Sequence, residues 1–298
     1  MSTARALRRA ARVVGHAVAG LAQIVFRFPR LPQAQRDLRV QAWASALVQL
    51  LGVQLRIRGP VPVQGPLLLV ANHISWLDIV VLHAAHHCRF VSKADVRRWP
   101  LVGILATGAG TLYIQRESRR DALRVVHHMA KALKDGDILA VFPEGTTGDG
   151  HDLLPFHANL IQAAIAADAP VQPVALRYVD PATGDNSQAM SYIGDETLIG
   201  SLWRTLSAQA VLADVVFGAP QTAEGRERRA WAGDLREAIR ELRASDPCGP
   251  LRKAPAADLP GRACGDRRRR RPRCRVARSA PLPPPSRAPK LLPGARSA

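Results

Sequence analysis

"GPLLLVANHISWLD", residues 65–78, decides how this chain of 298 residues folds. The run PLLLVA at 66–71 is continuously apolar and short. That pattern predicts a strand buried on both faces, as in a parallel sheet. WLDIVVLHAA at 76–85 predicts the helix that follows. Between them stand Asn72 and His73, where the strand ends, with Asp78 five residues after the His. Open α/β sheets place their reacting groups at the carboxyl ends of strands.

Outward from this stretch the alternation continues. RFVSK (89–93) and GTLYIQR (110–116) read as strands. Ser118 can cap a helix running to about Lys134, with Val125, Met129 and Leu133 on one face and Gly136 ending it. DILAVFPEG (137–145) reads as a strand entering a turn, and PFHANLIQAAIAA (155–167) as a helix with Pro near its start. APVQPVALRY (169–178) and LADVVFG (212–218) read as strands, and 224–243 as the last helix. This order predicts an α/β domain over residues 56–246, built on a largely parallel or mixed sheet flanked by helices.

Three stretches carry chemistry. A His oriented by a carboxylate takes a proton from a hydroxyl near neutral pH, and the carboxylate stabilises the imidazolium that forms. His73 and Asp78 have the residue types for this, and without a G-x-S-x-G elbow the His would act on a substrate hydroxyl directly. In FPEGTT (142–147), Gly145 permits a tight turn whose N–H groups and Thr hydroxyls can cradle an anion, with Glu144 beside them. Arg116, after the GTLYIQR strand, is a ready phosphate clamp.

The blocks also occur in a telling order: Asn72-His73 with Asp78, then 110–116, then 142–146, then VQPVA at 171–175. Together they resemble the lysophospholipid (1-acylglycerol-3-phosphate) acyltransferases of the glycerolipid acyltransferase superfamily, over roughly residues 40–220. The resemblance implies that His73 is the general base on the acceptor's free hydroxyl and that Asp78 supports it. It implies that Asn72, Arg116, Glu144, Gly145 and Thr146 bind the acceptor, the last four notably its phosphate. The acyl donor would be acyl-CoA or acyl-carrier protein, with no metal or other cofactor, and the product phosphatidic acid for phospholipid biosynthesis. Many members carry Arg-Ser after F-P-E-G-T, where this chain has Thr147-Gly148. That departure removes one cation and makes another lysolipid, such as lyso-ornithine lipid, a serious alternative acceptor.

The chain carries a formal net charge of +18, and residues 247–298 supply twelve of it, with fourteen Lys and Arg against two Asp. This Arg- and Pro-rich tail cannot bury enough apolar surface to offset its ordering entropy, so disorder is expected. A different class of reading makes the protein a non-catalytic binder of nucleic acid or anionic membrane through DRRRRRPRCR (266–275). The aromatic residues of a nucleic-acid surface are missing there, so no nucleic-acid partner is expected. Cys88, Cys248, Cys264 and Cys274 form no CxxC pair. His83 and His87 lie one helical turn apart without an evident third ligand, so no metal site is expected.

Residues 1–55 are read as membrane-associating helices. The apolar runs at 13–26 and 42–53 fall short of the roughly 20 residues a bilayer span needs. With Arg residues near their ends they suit the membrane interface. The expected partners are thus a lysophospholipid in an anionic membrane surface and the acyl donor, at the cytoplasmic face of the cell membrane.

Overall fold

The computed structural model describes residues 3–114 and 119–245. Gln115 to Ser118, including Arg116, and the tail for which disorder was expected lie outside the described residues.

Seven strands form one sheet: β1 (Val53–Arg58), β2 (Leu67–Ala71), β3 (Arg89–Lys93), β4 (Leu112–Ile114), β5 (Ile138–Val141), β6 (Val171–Val179) and β7 (Val211–Phe217). Their order is β1-β7-β6-β2-β5-β3-β4. Every neighbouring pair is parallel except β6 and β7. The sheet is therefore mixed, and β2, β5, β3 and β6 all end at the same edge.

β2 is buried at all five positions, as its unbroken apolar run requires. Its side chains alternate between two cores. Leu67, Leu69 and Ala71 join one with Leu176, Tyr178 and Val215. Leu68 and Val70 join the other with Met129, Leu133 and Trp231. The first face is covered by α1 (Thr3–Ala22), α2 (Gln33–Leu50), α3 (Leu77–Ala85) and α7 (Leu198–Ser207), the second by α5 (Arg119–Lys134), α6 (Gln162–Ala167) and α8 (Arg228–Ala244). A short helix, α4 (Val102–Gly108), links β3 to β4.

Four readings of the sequence change. First, the run at 42–53 does not lie free as an interfacial helix. Ala44, Leu47, Val48 and Leu51 are core residues, and the chain turns at Gly52 into β1. Second, β1 itself is a strand that the Arg residues of VQLRIR concealed. Arg56 and Arg58 both bond Asp214 of β7, at 2.8 and 2.7 Å, and the three form a charged cluster inside the sheet. Third, the helix expected over 155–167 shrinks to α6. His157 N–H donates to the Pro143 carbonyl, and tight turns through Leu160 and Ile161 occupy the segment before the helix begins. Fourth, α4 and α7 are helices in stretches to which the sequence pattern assigned no element.

Burial alone would raise the pKa of Asp214, but hydrogen bonds and charge from Arg56 and Arg58 outweigh it and hold the carboxyl below its ordinary 3.8. The stabilisation is present above that value and is lost as pH falls through the lowered pKa. Asp214→Ala should lower unfolding free energy at neutral pH by about 3–5 kcal/mol, because it strips the counter-charge from a buried Arg56. Denaturant titration at pH 7 and near pH 3 checks this, and the gap between variant and wild type should narrow at the lower pH.

Candidate active site

The site lies at the carboxyl end of β2, in the turn between β2 and α3. Asn72 is almost wholly buried and does not face open space. Its side-chain amide donates to the Leu176 carbonyl at 3.0 Å and accepts from the Leu176 N–H at 2.7 Å. It thus extends the β2–β6 ladder beyond Ala71, which pairs with Val174.

His73 Nδ1 stands 2.8 Å from Asp78 Oδ2. The same oxygen accepts the N–H groups of Ile74 at 2.6 Å and Ser75 at 2.9 Å. With the carboxylate accepting, Nδ1 carries the proton and Nε2 is left with the lone pair. Asp78 is fully buried in the first turn of α3. Its other oxygen, Oδ1, accepts from the Tyr178 hydroxyl at 2.7 Å. Burial first, and then the neighbouring Asp78 charge, push the Tyr178 phenol well above its ordinary value, so it stays a donor. Tyr178 was missed as a site residue. Its signal was present, a Tyr pointing to the same face as Leu176 on β6, but nothing local pairs it with a residue 100 positions earlier.

The His73 ring stacks flat on Phe142, with centroids 4.0 Å apart. Phe142 begins the turn at the end of β5. There Gly145 N–H donates to the Phe142 carbonyl at 3.1 Å, with Gly145 at φ 74°. A Cβ at Gly145 would approach the His157 ring to 2.9 Å, so glycine is required on two counts. Glu144 is buried beneath this turn, and both its oxygens are turned to the main chain. Oε1 accepts from the His73 N–H at 2.7 Å and Oε2 from the Leu154 N–H at 2.9 Å. Burial raises the Glu144 pKa above its ordinary value, against these two N–H donors and the nearby charges of His73 and Arg243.

The His73 carbonyl in turn accepts from the Gly148 N–H at 2.8 Å. Gly145 and Thr146 are exposed at the turn, while the Thr147 hydroxyl bonds the Tyr192 carbonyl. The structure thus brings Asn72, His73, Asp78 and the 144–146 turn to one edge, and Arg116 lies outside the described residues. His83 and His87, also considered from the sequence, stack on each other at 5.5 Å. His83 is held neutral by burial, its pKa pushed down to about 3.

The family model "Acyltransferase" matches residues 52–177. The chain is 38% identical over 246 residues to a lyso-ornithine lipid O-acyltransferase of Pseudomonas aeruginosa, covering 80% of this chain and 94% of that one. It is 36% identical over 213 residues to a 1-acyl-sn-glycerol-3-phosphate acyltransferase of Neisseria gonorrhoeae, covering 71% of this chain and 83% of that one. Its fold is similar to the crystal structure of the 1-acyl-sn-glycerophosphate acyltransferase PlsC from Thermotoga maritima, with a TM-score of 0.60 at 16% identity, over 82% of this chain and 99% of that one.

Tyr178→Phe removes one donor from the Asp78 carboxyl and leaves the ring packing in place. A carboxyl with fewer donors is more basic, so the acid limb of the pH–rate profile should move to higher pH. Turnover should fall about three- to tenfold. A steady-state pH series on both proteins checks this, and an unmoved profile would reduce Tyr178 to a packing residue.

Proposed function

Because the chain belongs to the acyltransferase family, and is an O-acyltransferase of lysolipids, we propose that His73 is the general base of the transfer and Asp78 its supporting carboxylate. The observation that carries this reading is the 2.8 Å contact between His73 Nδ1 and Asp78 Oδ2 in a turn fixed from several sides. Nε2 takes the proton of the acceptor's free hydroxyl, the sn-2 hydroxyl in a 1-acylglycerol lipid. The oxygen attacks the carbonyl carbon of an acyl thioester, on coenzyme A or acyl-carrier protein. The tetrahedral intermediate then collapses, its carbon–sulfur bond breaks, and the thiolate takes the proton back from the imidazolium. Neither a metal nor a covalent acyl-enzyme enters this sequence.

In this reading Asn72 and Glu144 act by positioning rather than by touching the acceptor, since their polar atoms already hold the main chain. Gly145 and Thr146 are the parts of the turn open to a ligand. The head group follows from the same turn. Position 147 offers a Thr whose hydroxyl is bound to a carbonyl, where a cation would favour phosphate. This supports lyso-ornithine lipid, whose head group presents a carboxylate and an ammonium in place of phosphate, as the acceptor. Lysophosphatidic acid is the second reading, favoured by Arg116 in the GTLYIQR block.

We place the enzyme on the cytoplasmic leaflet of the cell membrane. Among the described residues no helix is long and apolar enough to cross a bilayer. The support is α1. Its inward face carries Ala6, Ala10 and Val13 against the core, while Leu7, Val14 and Val18 are exposed. Spacings of seven and four put these three on one side of the helix. Arg5, Arg8 and Arg12 alongside suit anionic lipid.

Membranes bearing the protein, offered labelled acyl donor with lyso-ornithine lipid and lysophosphatidic acid in parallel, test the proposal. His73→Ala should lose activity by on the order of a thousandfold. Thr147→Arg should raise turnover of lysophosphatidic acid over lyso-ornithine lipid by about tenfold. Deletion of 247–298 should leave transfer intact. Transfer that survives His73→Ala would remove the general-base assignment, and transfer to lysophosphatidic acid alone would reassign the acceptor.

A further inference from the structure

We propose that residues 97–104, which follow β3 and run into the first turn of α4, form a second lipid-inserting element that dips into an anionic bilayer beside the active site. The proposal rests on the lysolipid reading above. It concerns a segment far in sequence from the N-terminal helix.

The segment reads RRWPLVGI, and Arg97 through Val102 are exposed without interruption. Trp99 is 47% exposed, Leu101 56% and Ile104 48%. Side chains of this kind in an unbroken row cost solvation free energy in water, and a row of this kind marks an interaction site. The backbone actively presents them. Val102 N–H donates to the Pro100 carbonyl at 2.6 Å, with Leu101 at φ 63° and ψ −54°. This is a γ-turn of the rare positive-φ kind, a conformation that L-residues seldom adopt. It puts a leucine at the tip of the loop.

The chemistry selects a lipid surface over a protein groove. Trp and Leu sit directly beside Arg97 and Arg98, with Asp95 the one acidic residue of the preceding turn. A Trp at the headgroup level, an aliphatic tip below it and cations at the rim match the layers of an anionic interface.

Two placements tie the segment to the site and to α1. β3 runs parallel to β5, and β5 to β2, so residues leaving β3 emerge at the edge where β2 delivers His73. The wider helical turn after α1, Gln23–Arg27, packs on α4. A Cβ at Gly108 would meet the Ile24 side chain at 2.5 Å, which shows how close the two lie. Val25 and Phe26, adjacent to Ile24, are themselves 56% and 66% exposed. The chain leaving α1 thus packs on α4, the helix whose first turn belongs to the segment.

Flotation of the full-length enzyme with phosphatidylcholine vesicles, with and without phosphatidylglycerol, tests the assignment. The variants are Trp99→Ser/Leu101→Ser, Arg97→Glu/Arg98→Glu, and Leu7→Ser/Val14→Ser on α1 for comparison. All the altered residues are exposed, and thermal unfolding confirms that each variant is folded. The Trp99/Leu101 pair should weaken partition at least about tenfold on vesicles containing phosphatidylglycerol. The Arg97/Arg98 pair should weaken it only where phosphatidylglycerol is present. Wild-type protein that fails to float, or a Trp99/Leu101 variant that floats like wild type while the α1 variant does not, would overturn the proposal. Acyl transfer is measured on the same samples. Lost partition in the loop variants, in a protein with no transfer to any lysolipid, would keep the lipid-inserting element and remove the lysolipid reading. Transfer with unaltered partition would do the reverse.

Discussion

The peptide unit of His73 is held at both ends, and the rest of the site depends on that grip. Its N–H is taken by Glu144 and its carbonyl by Gly148, both from the turn after β5. The ring is fixed separately, by Asp78 at Nδ1 and by Phe142 against its face. A buried hydrogen bond contributes only about 1 kcal/mol net, but a buried donor left without a partner costs about 1–3 kcal/mol. The geometry is therefore enforced less by attraction than by the penalty for leaving it. A base that must meet a hydroxyl within a few tenths of an ångström benefits from such enforcement, because positioning can replace much of the entropy cost of bringing reactants together.

The sheet supplies the framework for this grip. β2 leads to Asn72 and His73, β5 leads to Phe142 and Glu144, and β6 carries Leu176 and Tyr178. These three strands are adjacent and parallel, so their ends meet at one edge. Tyr178 bonds Asp78 only because the two-residue period of β6 puts Leu176 and Tyr178 on the α3 side. The outward order of supports is then His73, Asp78, Tyr178, with both supports buried behind a half-buried ring. A carboxyl with four donors keeps its orientation, as the supporting role proposed for Asp78 requires.

What the sequence made legible was whatever is local. The unbroken apolar run of β2, the helix period of α5 and the glycine turn after β5 each carry their signal within about ten residues, and the structure has all three. What stayed hidden depends on partners distant in the chain. β1 looked polar because its arginines are neutralised by Asp214, over 150 residues away. Glu144 read as an acceptor-binding acid because its two N–H partners, His73 and Leu154, cannot be inferred from FPEGTT. The helix read over 155–167 shortened because the segment ahead of α6 is tied to Pro143 rather than free to wind. The apolar run at 42–53 had the composition of an interfacial helix and the environment of a core one, and composition does not distinguish the two.

The location of the base proposed at His73 also constrains how substrate would arrive. A lysolipid keeps its chain in the bilayer, and its free hydroxyl lies near the headgroup level. A general base on a strand end can reach that hydroxyl only if the edge of the sheet itself approaches the interface. A single amphipathic helix would fix depth along one line and leave the enzyme free to roll about it. A second contact displaced from that line removes the rolling freedom. In the membrane-bound arrangement proposed above, the exposed stripe of α1 and the apolar segment that follows β3 would provide two such contacts. Orientation, rather than added affinity, is what the second contact would supply in that arrangement, acting on the same quantity as the grip on His73 in the proposed mechanism, the distance between Nε2 and the hydroxyl.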